Sequence, residues 1–459
     1  MNAEELKNLE NSKKTVYERK DDEHIEKAYE YCRGYVSYLD ESKTEREAVK
    51  ASVKLARENG FTEWNFGDKL EKGGRYYLNN RGKNLFLFTV GTESPVKGIR
   101  ISAAHIDSPR LDLKQMPVYE EGGLGYMKTH YYGGIRKYQW VATPLALHGT
   151  VVTMDGSSKE IVIGEDPSDP VFYITDLLPH LGHKDDAKPL GEAIPGEKLN
   201  LLSGSRPAAD IPAGIKLGIL AALNEKYGIT EDDFLSAELS AVPSGRARDC
   251  GLDRSMICGY GHDDRVCAYP ALTALFESMN GPHTLLCILA DKEEIGSEGN
   301  TGMQCALMND IIDEIAAAAG VSAAAVRAAS KCLSADVSAA YDPNFPEAFE
   351  KRNSSLMNCG VVLTKYTGAR GKSGTNDASA EFIGWLRAAM AHEDVVWQAG
   401  ELGKVDYGGG GTVAKFISKQ NIETVDLGVP VLSMHAPYEI IAKTDIYEAH
   451  RAFAAFNLF

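Results

Sequence analysis

Glu293 and Glu294 stand side by side in Asp291-Lys292-Glu293-Glu294-Ile295-Gly296-Ser297-Glu298, directly after the apolar run 284–289. Adjacent carboxylates repel, so a fold that turns both inward holds cations more readily than it leaves the charge unpaired. Taken alone, a Glu-Glu pair reads as a solvated acidic turn. Its company argues otherwise: His105, Asp263, Asp336 and His435 each stand next to an apolar segment. Individually these are weak too. A lone His is commonly a core or surface residue, Asp263-Asp264 suits a helix N-terminus, and Asp336 suits a turn cap. Together, two imidazoles and several carboxylates suit a pair of divalent ions, zinc or manganese, with one carboxylate spanning ions roughly 3.5–4 Å apart. Five ligand residues leave one carboxylate over. Of the Glu pair, one can bind metal while its neighbour removes a proton from the activated water. Asp107, two residues beyond His105, can fold back to fix the imidazole.

The elements that must position these residues follow from periodicity. The run 284–289 reads as a strand buried on both faces, and the carboxyl ends of such strands are where open α/β sheets bind ligands. Segments 84–90 and 98–104 read as further strands, the second delivering His105. A helix is expected over 264–279 and a strand over 331–335, running into Asp336. Further along come a helical stretch 310–330 interrupted near Gly320, a strand 357–364 and a helix 376–391. A strand over 425–432 leads to Ser433-Met434-His435, and a helix over 445–456 follows. Near the N-terminus, 23–38 is helical, and Thr44-Glu45-Arg46-Glu47 is a capping box opening a helix through 56. Strands alternating with helices predict an α/β fold with a mixed, mostly parallel sheet covered by helices on both faces.

Between 117 and 252 the texture becomes β-rich, with alternation over 145–152 and 160–163. An insertion is expected there, dividing a catalytic domain into 1–116 and 253–459. Tyr131-Tyr132-Gly133-Gly134 and Ser203-Gly204-Ser205 read as loops. Gly408-Gly409-Gly410-Gly411 reads as a flexible turn, with close backbone approach to a bound peptide as the alternative.

A chain of 459 residues exceeds one ordinary core. Lys and Arg number 49 against 65 Asp and Glu, a formal charge of -16, which argues against nucleic-acid and anionic-membrane partners. The 8 cysteines are scattered without a Cys-x-x-Cys pair, so neither a disulfide framework nor a cysteine zinc site is expected. The charged first 22 residues lack the apolar core of a secretory signal, and no apolar stretch is long enough to span a bilayer. The expected location is cytoplasmic.

The order His105-x-Asp107, Asp263, Asp291-x-Glu293-Glu294-x-Gly296-Ser297-Glu298, Ser334-Ala335-Asp336 and Ser433-Met434-His435 resembles the aspartyl aminopeptidase / aminopeptidase I family of dinuclear zinc aminopeptidases. The likeness runs from about residue 103 to 439, and Tyr132-Gly133-Gly134-Ile135 resembles the start of that family's inserted dimerisation domain. The resemblance implies a zinc-exopeptidase fold and two Zn2+ per subunit, with Mn2+ or Co2+ able to substitute. It implies that His105 and Asp336 hold one ion, Glu294 and His435 the other, that Asp263 bridges them, and that Glu293 is the general base. Leu178-Pro179-His180-Leu181 is similar to the family's Pro-His-Leu, whose His reaches a neighbouring subunit's active site in tetrahedral dodecamers built from dimers. The implied activity is release of an N-terminal residue, acidic (Asp or Glu) or neutral such as Leu, from peptides.

Two departures bear on the site. Gly261-His262-Asp263-Asp264 stands where many members have Arg-Leu-Asp-Asn, so register decides between Asp263 and Asp264 as the bridge. The lysine that pairs with an acidic substrate side chain corresponds to Lys365, with Lys372 a second candidate. Rival readings are a related dinuclear zinc deacylase or carboxypeptidase, which shares such a metal core, and a catalytically silent assembly protein. The presence of Glu293 and every ligand argues against the last, since scaffolding needs none of them.

Overall fold

The computed structural model describes residues 1–459 apart from 3–5, 7–8, 209–210 and 212–213. The apolar runs form strands buried at every position: Asn84–Thr89, Arg100–His105 and Leu285–Ala290. Period-two alternation sends their side chains to two separate cores. Leu285, Cys287 and Leu289 pack with residues of the helices Asp22–Asp40, Glu45–Glu58, His262–Ser278 and Lys443–Leu458. Leu286, Ile288 and Ala290 pack with Met308, Ile311 and Ile315 of the helix Leu307–Ala318 on the other face. Each large apolar side chain so buried contributes roughly 1.5–3 kcal/mol.

These strands belong to a nine-stranded sheet ordered Thr62–Glu63, Arg75–Asn80, Asn84–Thr89, Leu285–Ala290, Arg100–His105, Lys331–Ser334, Glu423–Gly428, Val361–Thr364 and Trp397–Ala399. The central four, Leu285–Ala290 to Glu423–Gly428, run parallel. Antiparallel pairs flank them, where Asn84–Thr89 meets both neighbours and Val361–Thr364 meets Glu423–Gly428. The mixed, mostly parallel sheet with helices on both faces is the architecture that the alternation of elements predicts.

The β-rich insertion is an antiparallel barrel built from Arg110–Glu121, Leu124–Tyr132, Pro144–Val152, Ser158–Ile163, Phe172–Tyr173, Leu201–Gly204 and Ala237–Pro243. It closes because Ala237–Pro243 pairs with both Arg110–Glu121 and Pro144–Val152. Its own core includes Leu111, Trp140, Leu147 and Leu201, with Ile215 and Ile219 from the helix Ile215–Tyr227. A third, small sheet joins Arg248–Cys250, Met256–Gly259, Glu439–Ala442, Pro430–Leu432 and Ser338–Ala339. No helix among the described residues is long and apolar enough to cross a membrane.

Several local expectations change. Tyr131 and Tyr132 pair with Leu111 and Arg110, and Leu202 and Gly204 pair with Tyr126 and Gly125, so cross-strand bonding overrides their turn-like composition. The stretch 425–432 is two strands in two sheets. Gly428 passes so close to the Asp336 carbonyl oxygen that a Cβ there would sit 1.6 Å from it, and Pro430 has no N–H to continue a ladder. That switch carries the chain out of the main sheet toward His435. The helix expected from 376 begins at Ala380, because Ser379 caps it by accepting the Phe382 N–H, while Thr375 is engaged by Thr367.

Candidate metal centre

Register explains why distant residues meet. His105 pairs with Ala290, and Ser334 pairs with both Ala103 and Asp426. The segments that follow, 106–109, 291–295 and 335–337, therefore leave the sheet along one edge. Asp263 arrives at the start of the helix His262–Ser278, and His435 arrives in the turn after Pro430–Leu432. His105 Nε2 lies 3.1 Å from Asp263 Oδ1, 3.9 Å from Asp336 Oδ1 and 4.0 Å from Glu293 Oε2. On the other side, His435 Nε2 lies 3.1 Å from Asp263 Oδ2 and 3.5 Å from Glu294 Oε1. Asp263 thus stands between the two imidazoles, offering one oxygen to each.

Both rings are turned the same way by backbone carbonyls, which can only accept. His105 Nδ1–H donates to the Asp107 carbonyl at 3.0 Å, and His435 Nδ1–H donates to the Gly134 carbonyl at 2.8 Å. Each Nε2 is thereby left facing the centre, the atom a metal ligand of this kind would offer. Asp107 does a second job. Its carboxylate oxygens accept the Glu293 and Glu294 N–H groups at 3.1 and 3.2 Å and the Tyr132 hydroxyl at 2.8 Å. Asp107 Oδ1 also lies 3.4 Å from His105 Nδ1, and the two accepted N–H groups tie the backbone of both glutamates to it. Lys292, Ser433 and His435 adopt positive φ of 65°, 59° and 64°. Such non-glycine conformations cost roughly 1–3 kcal/mol each and cluster at functional sites.

The donor set fits divalent ions. Buried oxygens without a hydrogen-bond partner include Asp263 Oδ1, both of Asp264 and Glu294 Oε1. The 3.1 Å approach of His105 to Asp263 accordingly lacks hydrogen-bond geometry, as expected of two donors aimed at a common point. Ligand atoms of His105, Asp263 and Glu294, and of His105, Asp264 and Asp336, lie within 4.8 Å of one another. Burial pushes Glu294 and Asp336 well above the usual carboxylate range and Glu293 upward as well. At Asp263 burial pushes the same way, but the two imidazoles outweigh it and hold the group low. His435 rises to about 10 against the effect of burial, through Asp263 and Glu294. So many carboxylates cannot all ionise in a buried space unless protons or cations compensate, and imidazole with carboxylate suits zinc.

These groups border a cavity of about 400 Å³ whose far wall is Thr364, Thr367, Leu402, Gly409–Gly411 and Thr412. The glycine run is not the free turn its composition suggests. The Gly368 N–H donates to the Gly410 carbonyl at 2.7 Å, and a Cβ on Gly409 would sit 1.9 Å from the Gly368 carbonyl oxygen. Asp426, which no motif in the sequence marks, also lines the cavity. It is a buried acid whose Oδ1 accepts from Ser334 Oγ at 2.9 Å and Thr412 Oγ1 at 2.6 Å. The only sequence signal was a lone acid inside an apolar strand. Gly134 and Tyr132 gave none beyond their place at the start of the insertion. A larger cavity of about 670 Å³ borders Arg110, Lys83 and Asp291. Its lining mixes cations with acids, Arg110 pairing with Glu45 and Lys83 with Glu238, and no group of metal-ligand type is found there among the described residues.

Two expected residues stand apart. His180 lies on the short helix Pro179–Gly182, exposed and outside the cavity lining. Lys365 Nζ and Lys372 Nζ both pair with Asp377, at 2.7 and 3.1 Å. Among the described residues no Lys or Arg lines the cavity.

The family described as aminopeptidase I zinc metalloprotease (M18) matches residues 38–457. A probable M18 family aminopeptidase 1 from Clostridium acetobutylicum is 46% identical over 453 residues, covering 96% of this chain and 97% of that one. Its Thermotoga maritima counterpart is 42% identical over 449 residues, covering 96% and 98%. The crystal structure of the M18-family aminopeptidase from Thermotoga maritima superposes with a TM-score of 0.93 at 40% identity, over 98% of this chain and 100% of that one. The S. cerevisiae mApe1 dodecamer shares the fold, with a TM-score of 0.76 at 20% identity over 92% of this chain and 95% of that one. Likeness along nearly the whole length thus joins a buried imidazole–carboxylate cluster at a parallel-sheet edge, and the chain belongs to the M18 aminopeptidase I family as a zinc metallo-aminopeptidase.

Proposed function

We propose that the protein releases N-terminal residues from peptides at a two-zinc centre formed by His105 and Asp336 on one side, Glu294 and His435 on the other, and Asp263 between them. The observation that carries this is the placement of Asp263, with its two oxygens 3.1 Å from Nε2 of His105 and of His435. Asp264 sits with the His105 and Asp336 group alone, which favours Asp263 as the bridge. Zinc ions, when bound, supply the Lewis acidity that activates a water and polarises the scissile carbonyl; Mn2+ or Co2+ can take their place. Glu293 takes the proton from that water and passes it to the leaving amine. Asp107 holds the Glu293 backbone in place while this happens.

The substrate's N-terminal side chain points toward Thr364, Thr367, Leu402 and Gly409–Gly411. That wall is neutral apart from Asp426, which supports a neutral residue such as Leu over Asp or Glu. Recognition of an acidic residue by Lys365 requires Nζ to leave Asp377. A panel of Asp, Glu, Leu and Lys aminoacyl substrates on protein of known metal content decides between them. N-acetyl amino acids run beside the panel separate an aminopeptidase from a deacylase. Turnover of the acetylated compounds alone overturns the proposal.

His180 completes the site of a neighbouring subunit, where it donates a hydrogen bond to the developing oxyanion, a contribution of roughly 2.7–4 kcal/mol for donors of that kind. Leu177, Leu178 and Leu181 around it are all exposed, the mark of a surface that another chain covers. The assembly proposed is a homo-dodecamer built from dimers. The proposed setting is cytoplasmic, where the 8 cysteines stay reduced.

A further inference from the structure

Glu439 opens the strand Glu439–Ala442 and is 1% exposed. Its carboxylate is spent on two backbone amides remote from each other in the chain. The Asp263 N–H donates to Oε2 at 3.0 Å, and the His435 N–H donates to Oε1 at 2.8 Å. Both donors belong to residues whose side chains face the metal centre, with Asp263 Oδ2 3.1 Å from His435 Nε2. His435 also holds a positive φ of 64°, a conformation few non-glycine residues adopt without support.

We infer that Glu439 is a positioning residue that sets the spacing between Asp263 and His435, and through it the geometry of the ion they share. Each carboxyl oxygen of Glu439 accepts one N–H, so a single side chain satisfies two amides at once. Glutamine, of nearly the same shape, turns an NH2 donor toward one of those N–H groups. Aspartate is one methylene too short to reach both. Asp107 grips Glu293 and Glu294 in the same way on the opposite side. Two buried carboxylates outside the ligand set therefore each hold a pair of site amides. The inference rests on the assignment of Asp263 and His435 as ligands.

The test is Glu439→Gln, with zinc affinity measured by chelator competition and the visible spectrum of the Co2+-loaded protein recorded beside wild type. The melting temperature of the metal-free protein is followed in parallel. Zinc affinity is expected to weaken about 10–100-fold, the usual scale for partners that orient metal ligands, with an altered cobalt spectrum. Wild-type affinity and an unchanged spectrum overturn the inference, even if the melting temperature falls. Should the variant not fold, hydrogen exchange over 433–438 in wild-type holoenzyme takes its place. A slowly exchanging His435 amide is expected, and exchange as fast as an exposed amide overturns the inference. Wild-type protein that takes up no zinc overturns the ligand assignment instead, which separates the two failures.

Discussion

At the carboxyl edge of the central sheet the polar groups are buried or half-buried, and held. His105, Asp107 and Asp263 are at most 2% exposed, and each has its orientation fixed by neighbours. In the barrel's connection between Phe172–Tyr173 and Leu201–Gly204 the reverse is true: His180 is exposed between Leu178 and Leu181, themselves 53% and 63% exposed. A buried donor set can take up its ions without a partner. An exposed histidine among exposed leucines cannot exclude water from a reaction until another surface covers it. On the proposed function, metal binding is then a property of the single chain and full turnover a property of the assembly.

The sharpest break of that comparison comes on the sheet side. Asp263→Asn weakens the one acid lying between both imidazoles, so both ions should be lost and turnover should fall below detection. Metal analysis of the purified variant checks this, and two retained ions with activity would contradict it. On the barrel side, His180→Phe should keep both ions while turnover falls by ~10²–10³, the scale of a lost oxyanion donor. Co-expression of His180→Phe with Glu293→Gln chains should restore at most roughly a quarter of wild-type activity, because each whole site draws on two chains. Verified mixed oligomers without recovery would mean that His180 does not serve a neighbour.

The junction between the two regions makes a smaller, pH-dependent prediction. His148 of the barrel lies 2.8 Å from Glu47 and 3.1 Å from Glu165. Burial lowers it, but its bonds to Glu165 and Glu47 outweigh burial and raise it to about 9. A raised folded-state value means the stabilisation is fully present below the unfolded value, pH ~6.5, and is lost as pH rises through about 9. Its size is on the order of 3 kcal/mol. Wild type should therefore lose melting temperature across that window relative to His148→Gln, and parallel profiles would remove the junction's role. Smallest of all, Lys365→Ala should change the Michaelis constants for Leu and Asp substrates by less than about fivefold, the ~1 kcal/mol of an exposed pair. A larger rise confined to Asp substrates would show that Lys365 leaves Asp377 to bind them.

How legible each residue was in the sequence follows from where its partners lie. His105, Glu293, Glu294 and Asp336 stand just past apolar runs, and a buried strand announces both itself and its end. Asp263 and His435 were legible by residue type, but the sheet switch at Gly428 that aims His435 depends on the distant Asp336 carbonyl. The glycine run misled because its packing partner, Gly368, is remote in sequence. Glu439 and Asp426 are single acids without spacing to mark them, and their roles exist only once the strands are placed. His180 has no periodic element around it, and only the family likeness singled it out.

The central claim is that two ions and one free carboxylate carry the reaction, with Glu293 as that carboxylate. Zinc content and turnover of Glu293→Gln, measured on one preparation beside Glu294→Gln, test it most directly. Glu293→Gln should hold two zinc ions per chain and lose ~10²–10⁴ in turnover, the range for a missing general base, while Glu294→Gln should lose metal. A Glu293→Gln protein that keeps both ions and near-wild-type turnover would contradict the claim, and metal loss in it but not in Glu294→Gln would show the two roles exchanged.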